Sequence, residues 1–170
     1  MASPSADELR DTVDEVAIRA LISAYADVVN RRAWSELDGL VAVAAPITID
    51  LRDRPPIVVV GPAALGEFIG GAIERFAFFE FVALNVRVEL RIGGGIDHAA
   101  VRTYMCELRQ DHDANPSRAF GLYQDVMVRS PTGWQFAQRH YQSIARGEGS
   151  LEILDPPVMS ADIAARADPA

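Results

Sequence analysis

Lysine does not occur in this 170-residue chain; all 16 basic residues are arginine. Schiff-base catalysis and pyridoxal-phosphate anchoring both need a lysine amine, so those chemistries are excluded. Cysteine is nearly absent too. Cys106 stands alone, which rules out an internal disulfide and a multi-cysteine zinc site. No apolar run approaches the roughly 18 residues of a membrane span. The start, Met1-Ala2-Ser3-Pro4-Ser5, has neither a basic stretch nor an apolar one, so no signal peptide is expected and the cytoplasm is the default location. Excess positive charge is missing as well. The formal net charge is −8 and the arginines are scattered, which argues against a nucleic-acid partner.

What remains is an ordinary globular profile, 49% hydrophobic and 24% charged, long enough for one sizeable core. Ser5-Ala6-Asp7-Glu8 forms a capping box. From there to about Arg32, Val13, Val16, Ala17, Ala20, Leu21 and Ala24 recur at helical spacing. A short second helix is predicted from Trp34 to about Val43, ended by Pro46. Ile47 to Leu51 alternates like a strand, and Ile57 to Val60 is a short apolar run suited to an edge. Gly61-Pro62 opens a third helix reaching about Phe76.

Strand-like segments follow: Phe78 to Ile92, Ala99 to Arg109, Ala119 to Arg129 and Trp134 to Ala145. They are separated by Gly93-Gly94-Gly95, the 111–116 loop and Ser130-Pro131-Thr132-Gly133. Helices first and an antiparallel meander afterwards is an α+β pattern. The expected division is one domain over 1–147 and a loosely attached tail over 148–170.

Several local stretches then gain meaning together. The run from Ile18 to Asp27 with Asn30 to Leu37, the strand Ala45 to Asp50, Gly121-Leu122-Tyr123-Gln124-Asp125 with Arg129, and Gly133 to Arg139 resemble, in order and spacing, the SnoaL-like proteins of the nuclear-transport-factor-2-like superfamily. The scytalone-dehydratase-like branch is the nearest flavour. The resemblance spans roughly residues 10–146. It implies a cone-shaped barrel, a curved antiparallel sheet wrapped around N-terminal helices, with a pocket for a small apolar molecule. It also implies no cofactor and a homodimer through the convex sheet face; no metal is expected, because no ligands cluster at metal-binding spacing. The implied activity is that of a lyase, isomerase or cyclase (a dehydratase or polyketide cyclase, for example) on a polyketide-, terpenoid- or steroid-like substrate. A non-catalytic binding or dimerisation module of the same fold is the alternative.

The resemblance also nominates residues. Tyr25 stands where similar isomerases carry an oxyanion tyrosine. Tyr123 stands where they place an asparagine or a protonated aspartate, with Asp125 on the same strand face and Tyr104 on the neighbouring strand. Asp50 is a candidate general base on the first strand, although the closest register turns Leu51 inward instead. Asn30 replaces the acid of the dehydratases, and Phe81 falls where their first histidine is expected. Arg102 is present for an epoxide-hydrolase relay, but Tyr104 stands in place of its aspartate. His112 sits in an Asp-His-Asp loop that suits a solvated turn better than a metal.

His140 is the favoured acid–base residue. It is in phase with Trp134, Phe136 and Gln138 on the last strand, so a concave face lined by those residues would carry it into the pocket. Phe79 and Phe81 would add an aromatic wall.

Overall fold

The computed structural model describes residues 3–149 together with the strand pair at 152–153. Helix α1 spans Ala6–Arg31. Its capping box is closed by Ser5 and Glu8 in both directions, which satisfies orphan N–H groups of the first turn. Ile18, Leu21, Ile22, Tyr25, Val28 and Val29 form its buried stripe, and Arg32 ends it in the left-handed region at φ 57°. The second predicted helix is shorter than expected, a 3-10 segment at Trp34–Gly39. The chain leaves it because Val41 bridges to Phe136 and the Ala42 N–H bonds the Phe136 carbonyl at 2.9 Å, so sheet pairing wins over helix continuation.

Strand β1 (Pro46–Asp50) pairs with edge strand β2 (Ile57–Val60), and α2 (Gly61–Ile73) follows at once. Gly61 is required at that corner. It sits at φ 80°, and a Cβ there would lie 2.5 Å from the Val43 carbonyl oxygen. The remaining strands are β3 (Phe76–Leu90), β4 (His98–Asp111), β5 (Pro116–Ser130), β6 (Gly133–Gly147) and the two-residue β7 (Glu152–Ile153) against the end of β6.

The sheet order is β2-β1-β6-β5-β4-β3, antiparallel except for the parallel pairing of β1 with β6. Among the described residues β2 and β3 are its two ends, so the sheet is curved but open rather than a closed barrel. No described helix is long and apolar enough to cross a membrane. Apart from 148–149 and the β7 pair, the expected C-terminal tail lies outside the described residues.

The decisive detail is in β6. Opposite β5, Val126 pairs with Gln138 but Met127 pairs with Phe136, so Ala137 is an extra residue. Phe120 pairs with Ala145 and Gly121 with Ser143, so Ile144 is a second one. Each bulge reverses the in–out alternation. The inner face of β6 therefore runs Trp134, Phe136, then Arg139, Tyr141, Ser143, then Arg146. His140 falls out of phase with Phe136 and faces the opposite side from Arg139 and Tyr141.

Candidate functional site

The inner sheet face, α1 and α2 enclose a cavity of about 510 Å³. Its aliphatic and aromatic wall comes from Ile47, Ile49 and Leu51 of the first strand and loop, Leu65, Phe68 and Ile69 of α2, and Phe76. β-Strand alternation supplies the polar side: Glu107 and Arg109 from β4, Tyr123 from β5, and Arg139, Tyr141, Ser143 and Arg146 from β6. Tyr25 reaches in from α1, while Arg54 and Arg75 complete the rim.

Beneath this cavity lies a buried ion pair. Arg139 donates from Nε and Nη2 to the two carboxylate oxygens of Asp125 at 3.1 and 3.2 Å, and both side chains are almost fully buried. Three aromatic rings cage the guanidinium, those of Tyr25 at 4.0 Å, Tyr123 at 4.2 Å and Phe136 at 4.0 Å. Its Nη1 has no hydrogen-bond partner among the described residues, so ring faces stand in for an acceptor. Burial opposes the charge on Arg139, but Asp125 and the two phenols outweigh it and hold its pKa above the ordinary value. Burial pushes Asp125 upward against the pull of Arg139. The pair stays charged because each ion is the other's main compensation.

The phenols above it form a ring cluster. The Tyr25 and Tyr123 ring centroids are 6.5 Å apart, and Tyr123 lies 5.2 Å from Tyr141. Burial raises the pKa of all three, with Arg139 pulling back on the first two, and Tyr141 is pushed up to about 12. The negative charge of Glu107, which lines the same cavity, raises each of them further. Glu107 is gripped in turn by Arg109.

Gly121 makes the cluster possible. A Cβ at that position would come 2.2 Å from the Tyr141 ring, so the ring occupies the volume a side chain would fill. Gly121→Ala is expected to displace Tyr141 and cost about 1–3 kcal/mol. A urea titration checks this, and an unchanged midpoint with unchanged Tyr141 chemical shifts would contradict it.

Of the sequence candidates, Tyr25 and Tyr123 line the cavity; the others do not. His140 is half-buried on the outer face, opposite Thr48 and Gln124. Asp50 also points outward, accepting from the Arg52 N–H at 2.9 Å and from Gln142 at 3.3 Å, while Leu51 lines the cavity. Tyr104 alternates outward between Thr103 and Met105.

The Asn30 amide clamps the Phe81 backbone, accepting from its N–H at 2.7 Å and donating to its carbonyl at 3.0 Å. That ties the end of α1 to β3 instead of orienting a ligand. Phe81 packs edge-on against Tyr25 and Tyr123 behind the wall, and Phe79 stacks on Phe76. Phe136 belongs to the cage under Arg139. Trp134 lies farther along the strand, donating to Asp14 at 3.3 Å beneath Arg129.

Arg139, Tyr141 and Glu107 were not foreseen. One signal was available: Phe136 and Tyr141 are five residues apart, an odd spacing that no regular strand can bury on one face.

Residues 10–140 match the SnoaL-like domain family. The chain belongs to the SnoaL-like family. No curated protein matches it significantly. Among solved structures, a scytalone dehydratase candidate from Novosphingobium aromaticivorans is 16% identical, with 89% of this chain and 97% of that chain covered and a TM-score of 0.73. A hexachlorocyclohexane dehydrochlorinase, LinA-type3, from Novosphingobium barchaimii is also 16% identical, covering 88% and 99% with a TM-score of 0.71. At these identities the likeness is one of fold, and it places this SnoaL-like domain on the scaffold those two proteins share.

Proposed function

We propose that this SnoaL-like domain is a cofactor-free lyase, isomerase or cyclase that moves a proton next to a carbonyl group on a small, largely apolar substrate of polyketide, terpenoid or steroid type. One observation carries the reading: two phenols, Tyr25 and Tyr123, face a cavity with an aliphatic and aromatic wall directly above a caged, buried arginine. Phenols with raised pKa keep their protons, so they serve as donors and not as bases. A carbonyl oxygen placed against them would gain negative charge as an α-proton leaves, and the hydrogen bonds would strengthen with that charge. The Arg139 cation below adds a fixed favourable potential without having to move.

The proton acceptor in this scheme is Glu107, the carboxylate among the cavity-lining residues. It takes the α-proton and leaves an enolate on the phenols. Return of the proton at a different carbon gives isomerisation, loss of a β-substituent gives elimination, and attack on a second carbonyl closes a ring. His140 and Asp50 have no part in it, since both face away from the cavity.

The test needs no natural substrate. 2-Tetralone, a flat bicyclic ketone with acidic α-hydrogens, is incubated with the protein in D₂O and its deuterium uptake followed by NMR. Glu107→Gln is expected to slow exchange by about 10²–10⁴-fold, the usual worth of a positioned base, with His140→Ala and Asp50→Ala at the wild-type rate. Wild-type exchange no faster than Glu107→Gln would leave a binding module in place of an enzyme.

A further inference from the structure

The lining of this cavity is charged against the trend of the whole molecule. The chain carries a net charge of −8, yet Arg54, Arg75, Arg109, Arg139 and Arg146 all line one cavity in which, among the described residues, Glu107 is the lone carboxylate. Two further acids reach these arginines from outside the lining. Asp53 bonds both Arg54, at 3.0 Å, and Arg146, at 2.8 Å, and Asp125 holds Arg139. Among the described residues five cations therefore face three carboxylates, and the surplus is concentrated in one place.

Arg75 carries much of that surplus. It lies just beyond α2 and is exposed, and among the described residues it makes no ion pair. Its guanidinium rests 4.8 Å above the Phe76 ring, and Arg109 lies over the same ring at 5.4 Å. Two guanidinium groups on one aromatic ring repel each other unless an anion sits nearby. Glu107 compensates Arg109 and leaves Arg75 uncompensated. The exposure falls inward from Arg54 and Arg75 at the rim, through the partly buried Arg146 and Arg109, to the buried Arg139. Between rim and floor lie the aliphatic side chains of β1 and α2.

We infer that the occupant of this cavity is an amphipathic carboxylate, an apolar body of one to three rings or the equivalent chain, whose anionic head sits at the rim against Arg75. Arginine is suited to that task because its planar fork meets both oxygens of a carboxylate at once. The apolar body fills the space below, and a carbonyl on it reaches Tyr25 and Tyr123. This deepens the proton-transfer reading, on which it rests for the role of the phenols, by fixing the charge and polarity of the substrate.

Calorimetric titration of the whole chain with 2-naphthoate and with methyl 2-naphthoate, in low-salt buffer at pH 7, separates head from body. The two probes share one ring system and differ in charge. Naphthoate is expected to bind about tenfold more tightly than its ester, the worth of one charge-assisted contact. Arg75→Glu should abolish that preference, whereas Arg19→Gln, outside the cavity, should leave it intact, and about 0.5 M salt should weaken it.

Equal binding of acid and ester, or a preference that survives Arg75→Glu, overturns the inference. It would do so without touching the proton-transfer reading, which the neutral ketone tests separately. Binding of neither probe overturns it as well. Exchange that fails while naphthoate still binds selectively leaves the carboxylate site standing and removes the enzyme.

Discussion

Asp125→Ala should destabilise the domain by about 3–5 kcal/mol, because it strands the buried Arg139 cation in its aromatic cage without a carboxylate. The cage offers ring faces on three sides, and those contacts hold part of the charge at up to about 2 kcal/mol apiece when desolvated. They cannot replace the two hydrogen bonds from Nε and Nη2 that the carboxylate accepts. For a domain of this length the loss corresponds to a melting temperature lower by on the order of 10 °C.

The double replacement Asp125→Leu with Arg139→Met separates the cause from simple packing. It removes both ions and refills the volume, and should recover most of the loss. Urea denaturation of the wild type, the single and the double variant decides. A single-variant loss under about 1 kcal/mol, or a double variant no more stable than the single, would mean that the pair is not the compensated unit its geometry describes.

That pair also marks the boundary of what the residues disclosed before the fold was seen. Local signals were sufficient for the elements. The Ser5–Glu8 box, Pro62 after Gly61 and the glycine and proline turns place helix and strand ends within a few residues of where they lie. They also order Tyr25 and Tyr123 correctly onto a helix and a strand of one α+β domain.

What local signals do not carry is strand phase across a bulge. Alternation counted from Trp134 and Phe136 leads to His140, whereas the extra residue at Ala137 delivers Arg139. A bulge is a property of the pairing between β5 and β6, not of β6 by itself. The same holds for Asn30. Its identity marked it as polar at a family acid position, but its partner, the Phe81 backbone, lies 51 residues away in sequence. Glu107 and Arg109 fall at the end of the predicted Ala99 to Arg109 strand, and only the register with Ala119 and Ser117 turns them inward. Composition missed the cationic lining for a related reason: arginines scattered along the chain converge on one cavity through four separate elements and loops.

A second large catalytic effect, beside that of Glu107, is expected at the phenols. Removing the hydroxyl in Tyr123→Phe takes one donor from the developing oxyanion and should slow tetralone exchange by about 10²–10³-fold, with little change in affinity for the ground-state ketone. Tyr25→Phe should behave alike, because it takes away the other phenol donor lining the cavity over Arg139. The double variant should lose both donors and be slower than either single one.

The pH profile carries a second, independent sign. Burial raises both phenol pKa values above the ordinary 10, so both stay protonated as pH climbs through that value. Exchange corrected for the solvent reaction should hold its plateau past pH 10 and fall only when the raised pKa is crossed and a donor becomes an anion. An ordinary surface phenol would bring the fall at about 10. A Tyr123→Phe rate within a factor of about three of wild type, or a wild-type alkaline limb centred at the ordinary tyrosine value, would show that Tyr123 packs the wall of the cavity and gives no hydrogen bond to the reacting oxygen.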